Sequence, residues 1–205
     1  IAGVPGLELA AMSSRDAAKV HADWPGMQVH ASPQALIERP DLDLIVVPTP
    51  NDSHFPLARD ALLAGKHVVV DKPFTVTLAE GQALARLARE RERVLSVFHN
   101  RRWDGDFMTV RRVLDSGELG RIVHFESHFD RHRPLVRARW REVAGPGSGL
   151  WYDLGPHLLD QTLQLFGWPL AITLDTAAMR DGAQTDDWFL GQLRYDGLRV
   201  TLHVS

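Results

Sequence analysis

The chain contains no cysteine, which removes disulfides, thiolate metal ligands and thiol nucleophiles and is compatible with a reducing compartment. It has no apolar run near the length of a membrane-spanning helix and no signal peptide, so a soluble, cytoplasmic protein is expected. An excess of one charge is missing too. With 23 basic and 26 acidic side chains the net charge is -3, which gives no electrostatic footprint for nucleic acid or an anionic membrane and points to a small-molecule partner. There is no internal repeat and no low-complexity tract. An initiating methionine is also lacking: the chain opens at Ile1 and enters an apparent strand almost at once, as a clipped sequence would.

What is present is ordinary globular material, 205 residues with 44% apolar content, enough for one large domain or two modest ones. "LELAAMSS" (7–14) reads as a strand, and "LDLIVVP" (42–48) as another that is apolar on both faces, the pattern of a covered parallel sheet. Between "LDLIVVP" and "HVVVD" lies a helical segment with Leu57, Ala61, Leu62 and Ala64 near one face and Gly65 at its end, completing a βαβ unit. Thr77 and Glu80 have capping-box spacing before the next helix, which leads to the strand "VLSVF" (94–98). After about residue 100 the rhythm changes to a helix near 104–116, a strand from Ile122, an Arg-, Gly- and Pro-rich loop, a helix near 152–165 and then strands, with a hairpin turning at Asp196 and Gly197. The fold class predicted is α/β: a Rossmann-type doubly wound parallel sheet over 1–100, then an α+β domain with an open mixed or antiparallel sheet over 101–205.

Three stretches can carry chemistry. In "VVVDKPF" (68–74) an apolar strand ends in Asp71, Lys72 and Pro73. Pro73 cannot continue a ladder and biases Lys72 toward extended geometry, so an ammonium is carried at the carboxyl end of a strand, the edge where open α/β sheets bind ligands. "PTPNDSH" (48–54) follows a strand and enters a helix, where exposed amides with Asn51 or Asp52 as cap make a seat for a phosphate or ribose; an ordinary strand-to-helix turn explains it equally well. In "GPGSGLWYDLGPHLLDQTLQLFG" (145–167) Asp153 and His157 stand four apart on one helical face, with Asp160 three beyond. A histidine suits proton transfer near neutral pH and a carboxylate one turn away can orient it, although a capping Asp beside a structural His has the same spacing. Lys72 together with Asp153 and His157, from two domains, suggests a ligand cleft.

Other features weigh less. "GPGSG" imitates the start of GxGxxG, but position 152 is tyrosine and no βαβ unit surrounds it, so it reads as a turn delivering the Asp153 helix. "HFESHFDRH" sets His124, Glu126, His128, Asp130 and His132 on alternate positions, one face of an extended strand. A metal site there is conceivable, but the face lacks a defined ligand geometry and reads more simply as a hydrated or interfacial sheet surface, so no metal is assigned. Arg101, Arg102, Arg131 and Arg133 can hold phosphate or sugar oxygens, or stay solvated.

Jointly, "PTPNDSH", "AGKHVVVDKPFTVT", "FHNRRW", "GELGRIVHFESHFDR" and "GSGLWYDLGPHLLDQ" resemble, in order and spacing over nearly the whole chain, the Gfo/Idh/MocA oxidoreductases, and within them the bacterial branch of NADP-dependent inositol dehydrogenases. The resemblance implies an N-terminal Rossmann domain and a C-terminal α/β domain whose open sheet makes a homo-oligomer, a dimer or tetramer. It implies catalytic Lys72, Asp153 and His157. Lys72 would bond the reacting oxygen and the cofactor ribose, His157 would exchange the hydroxyl proton, and Asp153 would hold substrate and tune His157. It further implies cofactor contacts from Ser13, Ser14, Arg15, Pro48, Thr49, Asn51, His54, Asp71, Lys72 and Pro73, and substrate contacts from Arg101, Trp103 and Tyr152. The family's first strand and its GxGxxG turn belong before Ile1, and a further portion after Ser205. Without them strong cofactor binding is not expected of residues 1–205 alone, and the activity is assigned to the parent protein.

Ser13-Ser14-Arg15 ends the first strand without an acidic residue for an adenosine 2′-hydroxyl, while hydroxyls and an arginine suit a 2′-phosphate; NADP is favoured over NAD, with Asp16 nearby as the opposing feature. The implied reaction is hydride transfer between NADP(H) and a secondary alcohol or ketone of an inositol-like polyol or a sugar. A non-catalytic dinucleotide sensor on the same fold is the alternative, and an inactive domain serving as an assembly surface is a third.

Overall fold

A computed structural model describes residues 1–205, and their contacts divide the chain into two compact units, Ile1–Thr49 with Ser53–Val97 and Pro50–Asp52 with Phe98–Ser205.

The first unit alternates strand and helix: β1 (Ala11–Ser13), α1 (Ala17–Asp23), β2 (Gln28–His30), α2 (Pro33–Ile37), β3 (Leu44–Val47), α3 (His54–Leu63), β4 (His67–Asp71), α4 (Leu78–Glu90) and β5 (Leu95–Phe98). β1 and β2 pair in parallel, as do β3 and β4, and β5 adjoins β4. The orders β2-β1 and β3-β4-β5 match the 3-2 and 4-5-6 segments of the doubly wound order 3-2-1-4-5-6. Ile45, Val47, Val68 and Val70 point to one face and are buried with Ala58, Ala61 and Leu62 of α3 and Leu84 and Ala88 of α4. Each such aliphatic contributes about 1.5–3 kcal/mol of burial, Ala less. The alternate residues Leu44, Val46 and Val69 are half-buried, so the strands are apolar on both faces but sealed on one.

Local signals set the helix ends. The Thr77 amide donates to the Glu80 carboxylate at 3.0 Å and the Glu80 amide to the Thr77 hydroxyl at 3.3 Å, a complete capping box. α3 ends in a Schellman motif, with Gly65 at φ 77°, the Lys66 amide donating to the Ala61 carbonyl and the Gly65 amide to Leu62. The strand expected over 7–14 is only Ala11–Ser13, because its partner β2 offers three residues to pair with. Elements as short as β2 and α2 carry no readable periodicity, and the sequence reading passed over them.

The second unit holds α5 (Gly105–Asp115), β6 (His124–Phe129), α6 (Leu150–Phe166), β7 (Ala171–Ala177), β8 (Trp188–Arg194) and β9 (Arg199–Val204). Its sheet runs β6-β9-β8-β7, with β6 parallel to β9 and the other pairs antiparallel, a mixed sheet as expected. The hairpin between β8 and β9 turns at Asp196 and Gly197, Gly197 taking φ 69°. α6 lays Leu154 and Leu158 on Phe189, Leu193, Val200, Leu202 and Val204, with Trp151 meeting Phe189 edge-on at 5.2 Å. The opposite face of the sheet, which carries His124, Glu126 and His128, is exposed. The strand stops at Phe129, so Asp130 and His132 lie beyond it, and His132 lines a cavity rather than extending the row. No helix in the chain is long and apolar enough to cross a membrane.

Candidate active site

In the first unit the singled-out residues collect at the carboxyl ends of β1, β3 and β4, where an open parallel sheet binds ligands. Asp16, just after β1, caps α1: its carboxylate accepts the Lys19 amide at 3.0 Å, and its own amide donates to the Ser14 hydroxyl at 3.1 Å. The one acidic group near the strand end is therefore engaged, and the Ser14 hydroxyl is engaged with it, donating to the Asp16 carbonyl at 3.0 Å, while Ser13 and an exposed Arg15 stand beside them.

β3 runs out into Pro48 and Thr49, and the Thr49 hydroxyl bonds that of Ser53 at 2.6 Å. His54, the first residue of α3, is fully buried. Its Nε2 lies 2.8 Å from the Thr49 carbonyl and its Nδ1 2.8 Å from the Pro73 carbonyl. This differs from the cofactor contact expected of His54, because both ring nitrogens are occupied in tying the loop after β3 to the loop after β4. The Asp71 carboxylate accepts the Lys72 amide at 2.7 Å, so its role is to shape the strand exit. Lys72 is half-buried at that exit and its peptide bond to Pro73 is cis.

In the second unit α6 carries the remaining candidates. Gly149 precedes it at φ 93°, and a Cβ there would sit 1.9 Å from an Asp186 carboxylate oxygen. That closeness lets Asp186 accept the Trp151 amide at 2.7 Å, satisfying a donor at the helix start. The Gly-rich segment thus does deliver the Asp153 helix. One turn in, Asp153 pairs with Arg141 at 3.3 Å, and His157 is buried. Asp160, in contrast, is a structural anchor: Arg102 grips it through two bonds, Nε at 2.7 Å and Nη2 at 2.5 Å, so Arg102 is not available for phosphate or sugar. The grip raises the Arg102 pKa, through its hydrogen bond to Asp160.

Arg101 donates to Asp104 at 2.7 Å and stacks over Phe129 at 5.1 Å, while its buried Nε lacks a hydrogen-bond acceptor. Trp103 is 75% exposed, and Tyr152 is half-buried on α6. Asn51 is buried, its amide donating to the Gly147 carbonyl at 2.7 Å, which commits it to the Gly-rich turn rather than to a cap or a cofactor. Lys72 belongs to the first unit and the Asp153–His157 pair to the second.

An ionic clamp beside α6 has no signature in the sequence. Buried Glu142 accepts the Arg137 amide at 2.7 Å and the Arg139 guanidinium at 2.6 Å. Asp187 accepts the Met179 amide and Arg180 Nε, both at 2.7 Å. Burial pushes both carboxyls up, yet these amide and guanidinium donors outweigh it and hold each below the usual range. The clamp walls a cavity of about 250 Å³ into which Arg131, His132 and Arg133 also face. Burial, then the neighbouring Arg131, Arg139 and Arg137, lowers the Arg133 pKa, with Asp153 opposing. No sequence spacing links Glu142 to Asp187; only the fold brings them together.

With this geometry in hand, the relatives of the chain are informative. Residues 2–99 match the model of an oxidoreductase family with an NAD-binding Rossmann fold, and residues 107–205 the GFO/IDH/MocA C-terminal domain. The chain is 61% identical to the uncharacterized oxidoreductase YdgJ of Escherichia coli over 99% of its length and 59% of the relative's. It is 42% identical to the scyllo-inositol 2-dehydrogenase (NADP(+)) IolW of Bacillus subtilis, over 90% of this chain and 52% of that one. A solved structure from Yersinia pestis superposes with a TM-score of 0.94 at 58% identity, covering 100% of this chain and 58% of its own. The chain thus spans somewhat more than half the length of these proteins. Two matching domain models, a parallel strand-end site and a mixed C-terminal sheet lead to one conclusion: the chain belongs to the GFO/IDH/MocA oxidoreductase family.

Proposed function

We propose that the protein carrying this chain transfers a hydride between NADP(H) and a secondary alcohol or ketone of a cyclic polyol or sugar. The observation that carries the reading is the end of β1, where Asp16 is held as a helix cap, the Ser14 hydroxyl is turned to the Asp16 backbone, and Ser13 and an exposed Arg15 remain. A hydroxyl and a guanidinium suit a 2′-phosphate, and the one carboxylate nearby already gives an oxygen to a helix amide. The similarity to an NADP(+)-dependent inositol dehydrogenase supports both the cofactor and the substrate class. When bound, the dinucleotide would supply the redox chemistry. The residues do the rest.

Lys72, stiffened by Pro73 and by the loop tie through His54, would donate to the reacting oxygen and a ribose hydroxyl. His157 would take or return the hydroxyl proton. Asp153, beside Arg141, would hold a substrate hydroxyl and orient the histidine. The test is a 340 nm assay of the full-length protein with NADPH, NADP, NADH and NAD against inositols, inososes and aldoses. Turnover that prefers NADP, falls at least about a thousandfold in Lys72→Ala and loses its NADP preference in Arg15→Ala is expected, the first loss combining positioning and electrostatic terms. NADP binding without turnover across the panel would favour a dinucleotide sensor instead.

A further inference from the structure

The exposed face of the second unit's sheet, opposite the one covered by α6, carries side chains that the proposed reaction does not use. β6 and β9 run in parallel with His128 directly opposite His203. Asp130 follows two residues after His128, and its carboxylate stands 2.7 Å from His203 Nδ1 and 3.5 Å from His128 Nδ1. One donor atom from each of the three residues lies within 4.8 Å of the others. The sequence offered His128 and Asp130 as members of a polar stripe but had no means of adding His203, which lies 73 residues beyond Asp130.

We propose that His128, Asp130 and His203 bind a first-row divalent transition cation of the zinc, nickel or copper type, with water completing the coordination. Two imidazole nitrogens and a carboxylate oxygen are a donor set such ions favour over magnesium or calcium. Bonds of about 2.0–2.2 Å to a tetrahedral ion place donor atoms about 3.4 Å apart; Asp130 Oδ1 stands 2.7 Å from His203 Nδ1, its Oδ2 3.5 Å from His128 Nδ1, and the three donors lie within 4.8 Å of one another, so ligation opens the Asp130–His203 hydrogen bond and draws the side chains together. Small side-chain shifts suffice. The surroundings match as well: Glu126 stands 3.6 Å from His128 Nε2, the ring nitrogen turned away from Asp130, which is where a carboxylate orients a metal-bound histidine and raises its basicity. Two of the ligands project from paired strands, and Asp130 sits one residue past the end of β6. Trp188 meets the His203 ring at 5.7 Å and supplies a reporter.

Metal-stripped full-length protein should take up one zinc per chain in equilibrium dialysis at neutral pH, and lose it as the imidazoles protonate in mild acid. His128→Ala, His203→Ala and Asp130→Asn should each weaken uptake at least tenfold, Glu126→Gln about tenfold, and His124→Ala less than twofold. Copper(II) should quench a share of the tryptophan emission that Trp188→Phe abolishes. Circular dichroism checks each fold, and His128→Gln replaces any variant that unfolds. Absence of saturable uptake, or uptake unchanged in the His128→Ala/His203→Ala double variant, overturns the proposal and leaves the three residues a hydrogen-bonded surface cluster. Hydride-transfer rates should be the same in all these variants, so the outcome is independent of the reaction proposed above.

Discussion

His54 shows how a residue can matter to a site without facing it. Its ring is fully buried between two carbonyls that belong to the loops after β3 and β4. Removing the ring leaves a cavity and takes a donor from the buried loop tie, so His54→Ala should cost about 3 kcal/mol in urea denaturation. His54→Gln, whose amide can still donate to one carbonyl, should recover part of that loss. If Lys72 depends on this tie for its position, kcat should fall in His54→Ala while KM for substrate changes less. From sequence His54 is a polar residue at a helix start that the family resemblance assigns to the cofactor. Its carbonyl partners, five and nineteen residues away, become visible only when two strands lie side by side. Asp16 is the opposite case. Its cap needs only the Lys19 amide three residues on, and that spacing stands in the sequence itself.

At the level of elements, what was legible is what is local. The capping box of α4, the Gly65 terminus of α3 and the Gly197 hairpin each depend on residues within one turn, and each is present where the sequence places it. The Glu142–Arg139–Arg180–Asp187 clamp was not legible, since its members come from a 3-10 turn, a loop and the residue before β8, with no periodicity to connect them. Its behaviour follows from its charges. Both carboxyls titrate lower in the folded protein than in the unfolded chain, where they lie near 4. Their contribution is therefore fully present above about pH 4–5 and lost as pH falls through the folded values. Glu142→Gln leaves Arg139 without its carboxylate and should destabilise by about 3 kcal/mol at pH 7. It should also flatten the acid limb of a stability–pH curve, and an unchanged limb would show that the clamp does not govern it. The start of α6 is equally sensitive. Gly149→Ala drives a methyl into Asp186 at a positive φ, so a loss of about 2–4 kcal/mol and a displaced helix start are expected.

For the molecule as a whole, the two units carry separate cores and, on the function proposed above, different tasks: dinucleotide recognition and the Lys72 ammonium in the first, the Asp153–His157 pair in the second. This division can be tested without knowing the substrate, because a ligand that binds only the native state stabilises it by about 2.7 kcal/mol at a hundredfold excess over Kd. NADP added to the full-length protein should raise its melting temperature. Amide exchange should slow at Ser13 to Asp16, at Thr49, Ser53 and His54, and at Asp71, Lys72 and Phe74, the three strand ends of the first unit, more than along the exposed β6 edge of the second. Arg15→Ala should lose this protection with NADP and keep it with NAD, since only the former carries the 2′-phosphate. Lys72→Ala should keep it with either, because the lysine is assigned to the reacting oxygen more than to binding. Protection by NADP that survives in Arg15→Ala would move phosphate recognition away from β1 and reopen the cofactor assignment. Protection confined to the second unit would remove the strand ends of the first from the binding site altogether.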